Sequence, residues 1–295
     1  SLAAAALKPG DATLGKALTN YGRSLTAHGR YSEASEVLKR AVDNQVLQYG
    51  KAHFEVGLTL KALGQVLLSQ HKYQNADTVF ERAYDILAGS DVNQKGNAAL
   101  VLFERAKLAL AQDKYETAQK FAQDAQPGLL AHFGKDHPHM ANLHTFMADI
   151  NLRTGHTEQA QDNLDASQPI VVASTFSGGD GSLAFKSLTL LASTRAGTPV
   201  APTDMAPFRQ ALQARLQQSM YQPGQSADIR PVLRQSYHRL MLADFARGDT
   251  KTAFKDAQLA LSSDLSRAVG LQIRHIDHDK DTQARLAREV RRTTM

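Results

Sequence analysis

Four histidines fall close together in this chain, His132, His137, His139 and His144, and neutral imidazole is the commonest side-chain ligand for transition metals. Two imidazoles that share a metal from one helical face stand four residues apart, as in H-E-x-x-H. His139 and His144 are five apart, so a common site would need the preceding segment to fold back on the helix. The expected role is structural instead. Pro138 opens a helix, where its missing N–H costs nothing, and Asp136 lies near that helix's positive end. His275, Asp277, His278 and Asp279 also carry metal-capable groups at short spacing. They are expected to form a polar link, with Asp281 capping the helix DTQARLAREVRR. No metal and no cofactor is expected.

Other chemistries find no residues to carry them. The chain has no cysteine, which excludes disulfides, thiolate metal sites and a cysteine nucleophile, and leaves the compartment open. It contains no glycine-rich phosphate loop, no G-x-S-x-G elbow and no H-E-x-x-H segment. Paired carboxylates such as Glu33 and Glu36 fall on exposed helix positions by phase. The chain is expected not to be an enzyme. Its net charge of +5 comes from 34 basic against 29 acidic side chains, spread along the sequence, and aromatics suited to base stacking are few. Only Arg285, Arg288, Arg291 and Arg292 cluster, as the cationic end of a helix would. Nucleic acid is therefore a disfavoured partner. No apolar run approaches the roughly 20 residues that a membrane span needs, so a soluble chain without membrane insertion is expected. The start SLAAAALKPG, with Ser in place of Met, favours an exported or periplasmic protein over a cytoplasmic one.

The elements that position all these residues recur every 42 residues. Ala34, Ala76, Ala118 and Ala160 stand one period apart, each just after a short polar turn, HGRY, HKYQ, QDKY or TGHT. Gly22, Gly64, Ala106 and Ala148 precede them by twelve residues, and Ala41, Ala83, Ala125 and Ser167 follow by seven. Small residues in this phase mark where two helices touch. One helical pair cannot bury its apolar face alone, so a repeat of this length predicts stacked pairs, an α-solenoid. Tyr31, Tyr73 and Tyr115 recur as wedges after the turn. Thr157 breaks that series, so the fourth wedge should be weaker. A chain of 295 residues that is 42% hydrophobic, with 6% aromatics and no Trp, suits a long, thin core of Ala and Leu.

NYGRSLTAHGRYSEASEVLKRAV and ALGQVLLSQHKYQNADTVFERAY resemble the tetratricopeptide repeat in its long, kinesin-light-chain form. The usual unit has about 34 residues, and the extra eight add about two helical turns in total. HFGKDHPHMA resembles that family's inter-repeat connector, and QYGKAHFEVG stands two periods earlier in the same role. The resemblance covers residues 12–172 and implies an all-α, right-handed solenoid of about six helix pairs, the fifth degenerate, with a C-terminal helix. Residues 1–172 are expected to hold four regular units. Beyond them the register is expected to be lost: 173–230 form a loop-rich degenerate pair and 231–295 a final pair with the C-terminal helix, Gly248 lying in its turn. Ala160 to Ala253 spans two periods plus nine residues, and the nine fit either VVASTFSGGDGS or AGTPVAPTD.

Ala253, Phe254, Ala257, Gln258, Leu259, Ala260, Ser263, Arg267, Ala268 and Val269 carry a second resemblance, to the junction that follows the repeats in bacterial proteins joining them to a CHAT domain, a caspase-like peptidase module. That module uses a His–Cys dyad, which this chain lacks. The resemblance implies either the sensor or recruitment portion of a longer peptidase or a stand-alone relative.

Function then falls to the concave surface lined by the first helix of each pair, which suits an extended or helical peptide. By register the groove positions are Lys16, Thr19, Asn20 and Arg23, then Lys61 and Gln65, Phe103 and Lys107, and Asn142, Thr145 and Asp149. This surface is polar and net basic and would suit a polar or acidic protein or peptide partner. The family's chaperone-binding members use a carboxylate clamp of Lys, Asn and Arg; the matching positions here hold Thr19, Arg23, Ala62, Leu100 and Glu104, so the clamp is absent. The expected function is a non-catalytic scaffold for protein–protein interaction. The recruitment fragment of a CHAT peptidase is the alternative, and nucleic-acid binding through the basic surface a weaker one.

Overall fold

The computed structural model describes residues 12–90, 95–173, 180–198, 200–221 and 230–260. Every regular element among them is helical: α1 (Ala12–Ala27), α2 (Tyr31–Tyr49), α3 (Phe54–Ser69), α4 (Tyr73–Ala88), α5 (Lys95–Leu110), α6 (Tyr115–Phe133), α7 (Pro138–Thr154), α8 (Thr157–Ala173), α9 (Asp180–Arg195), α10 (Pro202–Tyr221) and α11 (Arg230–Ala246). Residues 250–260 form a further helix, α12. Successive pairs from α1·α2 to α7·α8 form tight antiparallel hairpins, and each hairpin stacks on the next. This is an all-α solenoid of helical repeats.

Small residues set the distance within each hairpin. Ala34, Ala76, Ala118 and Ala160 are wholly buried, as are Ala41, Ala83, Ala125 and Ser167. Gly22 receives Leu38 and Gly64 receives Phe80, and a Cβ built on Gly64 would lie 2.4 Å from the Phe80 ring. The partner stands sixteen residues on in both cases. One period further the same pair is Ala106 with Ala122, and then Ala148 with Leu164, each within one core cluster.

The turns repeat with the same fidelity. Arg30, Lys72, Lys114 and His156 each donate their N–H to the carbonyl five residues back, on Leu25, Leu67, Ala109 and Asn151. The residue before each donor has positive φ: Gly29, His71, Asp113 and Gly155. His71 and Asp113 are not glycine, and each side chain bonds the hydroxyl of the wedge tyrosine two residues on, Tyr73 at 2.9 Å and Tyr115 at 3.1 Å. Asp is among the residues that tolerate the left-handed region best.

That turn pattern also corrects the expected loss of register after residue 172. α9 begins at Asp180, one period after Pro138. Thr198 N–H bonds Ser193 O, and Gly197 has positive φ, both one period after their counterparts at 156, 151 and 155. The next such turn joins Asp249 N–H to Asp244 O, with positive φ at Gly248. It lies 51 residues on, so the nine extra residues enter between Thr198 and Asp249. Leu190 and Pro202 occupy the positions held by Ala148 and Ala160. Without small residues there α10 cannot close on α9, which runs instead against α11. α10 covers the seam through Met205, Phe208 and Leu212.

Candidate functional site

The odd-numbered helices carry the groove positions in columns one period apart, and the columns differ in depth. Arg23, Gln65 and Lys107 form one: Arg23 is exposed, while Gln65 and Lys107 are half-buried. Asp149, the fourth member, is buried and bridges Arg239 of α11 at 2.8 Å and Arg153 at 3.3 Å. It is therefore a structural anion rather than a groove contact. A second column holds Thr19, Lys61, Phe103 and Thr145. Thr19 is buried, sharing a hydrogen bond with the Thr59 hydroxyl at 3.0 Å and receiving Gln45 Nε2 at 3.3 Å. Phe103, only 3% exposed, packs edge to face on Phe146 at 5.3 Å. It belongs to the floor, because this column turns toward the neighbouring odd-numbered helix. Lys16, Asn20 and Asn142 are exposed, and Thr145 is half-buried. Lys16 lies 3.6 Å from Glu55.

One carboxylate and a group of cations interact at the middle of this face. Glu104, on α5, is buried. Its Oε1 accepts from Gln65 Nε2 and from Lys107 Nζ, both at 3.0 Å. Lys107 Nζ also sits 4.3 Å above the Phe103 ring, a cation–π contact. Lys61 lies within electrostatic reach of this group, and its pKa is lowered, first by burial; Glu104 opposes the shift, and Arg23 and Lys107 add to it. His139 on α7 is lowered by burial and then by His137, Lys61 and Lys107. Among the described residues neither Arg23 nor Lys61 has an acidic partner within ion-pair distance. Beside them Arg23, Thr26, Tyr31, Ala62, Gln65 and Ser69 line an open pocket of about 410 Å³ between α1 and α3. A half-buried ammonium facing two further cations favours an anionic or strongly accepting guest, which restores the solvation lost by burial.

The histidine segment resolves as a helix start. His137 caps α7, its Nδ1 accepting from His139 N–H at 3.1 Å, with Pro138 at the first helical position. His53 caps α3 in the same way through Glu55 N–H at 3.3 Å. The glycines that end α2 and α6, Gly50 and Gly134, both have positive φ, and the aromatic before each stacks on the cap: Tyr49 on His53 at 4.4 Å and Phe133 on His137 at 4.7 Å. The two connectors thus share one geometry. Among the described residues no group of three or more His, Cys, Asp or Glu could hold a metal ion, and no helix is long and apolar enough to cross a membrane. His275, Asp277, His278, Asp279 and Asp281 lie outside the described residues, as do the arginines at 285–292 and Ser263, Arg267, Ala268 and Val269.

Glu104 and His139 are the groove residues that sequence register does not single out. Glu104 stood only as a mismatch to the carboxylate clamp. The signal available was its position three residues before Lys107, the spacing at which helical side chains pair.

Residues 13–88 match the family pattern of the tetratricopeptide repeat. That segment carries tetratricopeptide repeats. Solved structures agree on the fold. A kinesin-light-chain-type protein of Podosopora anserina with nearly identical TPR-like repeats superposes with a TM-score of 0.52 at 16% identity, covering 70% of this chain and 96% of that one. A second structure of that protein gives 0.51 at 17% identity, with the same coverage. BtubC (BKLC) from P. vanneervenii gives 0.51 at 12% identity, covering 82% of this chain and 91% of that one. No curated protein matches in sequence. Repeats of this kind generally mediate protein–protein interaction.

Proposed function

We propose that this tetratricopeptide stack is a non-catalytic scaffold that holds an extended, acidic segment of a protein partner in its concave groove, with Arg23, Lys61 and Lys107 meeting the acids. The observation that carries this reading is the charge group centred on Lys61, where Arg23 and Lys107 act as like charges and Glu104, bonded by Lys107, is the one opposing carboxylate; among the described residues Arg23 and Lys61 have no acidic partner within ion-pair distance. Asn20, Gln65 and Asn142 would meet the peptide backbone, and Thr145 and Lys16 would flank it. Phe103 supports Lys107 from beneath. Backbone hydrogen bonds give such a complex affinity, and the charges select its sequence.

Calorimetric titration of an acidic partner peptide tests it. Lys61→Glu and Lys107→Glu should each weaken binding by about tenfold or more, since like charge replaces a desolvated attraction. Binding should survive moderate salt, whereas a nucleic-acid complex would lose affinity steeply along a linear log–log slope. Equal affinity of wild type and both variants would overturn the groove reading. The alternative of a recruitment fragment of a CHAT peptidase rests on the resemblance of residues 253–269 alone.

A further inference from the structure

Glu104 is placed as a carboxylate of a bound acidic segment would be. It is buried on the groove floor, it receives the Lys107 ammonium and the Gln65 amide, each at 3.0 Å, and its charge reaches Lys61 and His139. Among the described residues Lys107 has no other ion-pair or hydrogen-bond partner, and its further contact is the Phe103 ring. An incoming acid that engages Lys107 must therefore draw it from Glu104 or share it.

We infer that Glu104 is a built-in competitor for the acidic segment, a carboxylate of the chain itself that occupies Lys107 and Gln65 until the partner's own acid displaces or joins it. The inference rests on the groove reading above and adds a regulated threshold to it. With Glu104 in place, a segment bearing a single isolated acid gains little, because it exchanges one carboxylate for another at Lys107. A segment with two or more acids also satisfies Lys61 and Arg23 and overcomes the competition. Glu104 thereby sets how acidic a partner must be. The arrangement is local to α3 and α5: the residues one period before and after Glu104 are Ala62 and Phe146, so the competitor acts at one point of the groove.

The test uses the full chain, a fluorescein-labelled poly-glutamate peptide and its poly-glutamine counterpart, read by fluorescence anisotropy. Glu104→Gln keeps the side-chain shape and the acceptor for Gln65 and Lys107 while removing the charge. It should tighten poly-glutamate binding by about tenfold, the scale of one close like-charge contact in a partly desolvated site, and leave poly-glutamine binding unchanged. Glu104→Ala, which installs the residue found one period earlier at position 62 and removes the carboxylate altogether, should also tighten poly-glutamate binding and serves if Glu104→Gln fails to fold. Tighter binding of both peptides would point to a general loosening of the groove and overturn the inference. Wild-type binding of poly-glutamate with no gain in Glu104→Gln or in Glu104→Ala would also overturn it, while leaving the groove reading standing. Absence of poly-glutamate binding in wild type and in Glu104→Gln alike would remove the groove reading itself.

Discussion

At the scale of single residues the repeat is a set of size-matched contacts. Gly64 lets the Phe80 ring sit where a Cβ would be, while Gly22 does the same for Leu38. Alanine at position 64 brings a helix-propensity gain of about 1 kcal/mol against an overpacking cost of about 1–3 kcal/mol. Since the ring carbon would be 2.4 Å from the new methyl and Phe80 is wholly buried, the steric cost prevails. Gly64→Ala should lower stability by about 1 kcal/mol in urea unfolding, and the same change made with Phe80→Leu in place should be neutral or stabilising. A full cycle in which the two changes simply add would refute the contact as the cause.

At the scale of elements, the junction of α10, α11 and α12 depends on one buried ionic group. Arg209 of α10 reaches Asp244 of α11 and, at 3.1 Å, Asp256 of α12; the two aspartates are 0% and 2% exposed. Burial pushes the Asp256 carboxyl up to about 6 from 3.8; Arg209 opposes this, and Asp244 adds to it. Tyr237, on the same helix as Asp244, is also pushed up, to about 12, by burial first and then by Asp256. A raised folded pKa means that the folded state holds its proton more tightly than the unfolded chain. The stability this contributes is complete below about pH 3.8 and is lost as pH rises through about 6. Asp256→Asn should remove this contribution to the pH slope between 4 and 7, measured as the wild-type minus variant difference in unfolding free energy at each pH. An identical slope in both proteins would show that Asp256 is not the titrating group.

At the scale of the whole molecule, a solenoid's stability is roughly a sum of units and nearest-neighbour interfaces, and one contact here skips a unit. Arg239 of α11, 5% exposed, donates to Ser187 of α9 at 2.9 Å and to Asp149 of α7 at 2.8 Å, tying three odd-numbered helices together. Arg195 of α9 adds a hydrogen bond to the Leu152 carbonyl of α7. Because α10 does not close on α9, these links replace the missing hairpin contacts. Asp149→Asn should leave the Arg239 charge buried without its counter-ion, a cost of about 3–5 kcal/mol. Hydrogen exchange should then speed up in α9, α11 and α12 while α1 to α6 keep their protection. Uniform loss along the chain would mean that the stack unfolds as one cooperative body.

The 42-residue spacing by itself determined the helical hairpins, their contact alanines and the turn positions, because those features depend on local phase and on neighbours one period away, and Pro138 marked the start of its helix through its fixed φ and missing N–H. Period counting also contained the nine-residue offset between Ala160 and Ala253, but not its place. Hydrogen bonds at Thr198 and Asp249 were needed to bracket it, since helix ends are set by backbone geometry and not by composition. The groove was legible as a list of columns. Its depth was not: Phe103 and Asp149 share columns with Lys61 and Lys107 yet are buried, because the tilt of each unit on the next decides which side of a column faces solvent. The grouping of Arg23, Glu104, Lys107 and His139 about Lys61 joins four helices whose charges are scattered along the sequence. Only the superposition of successive turns in space brings them within range of one another, and that superposition is a property of the packed stack.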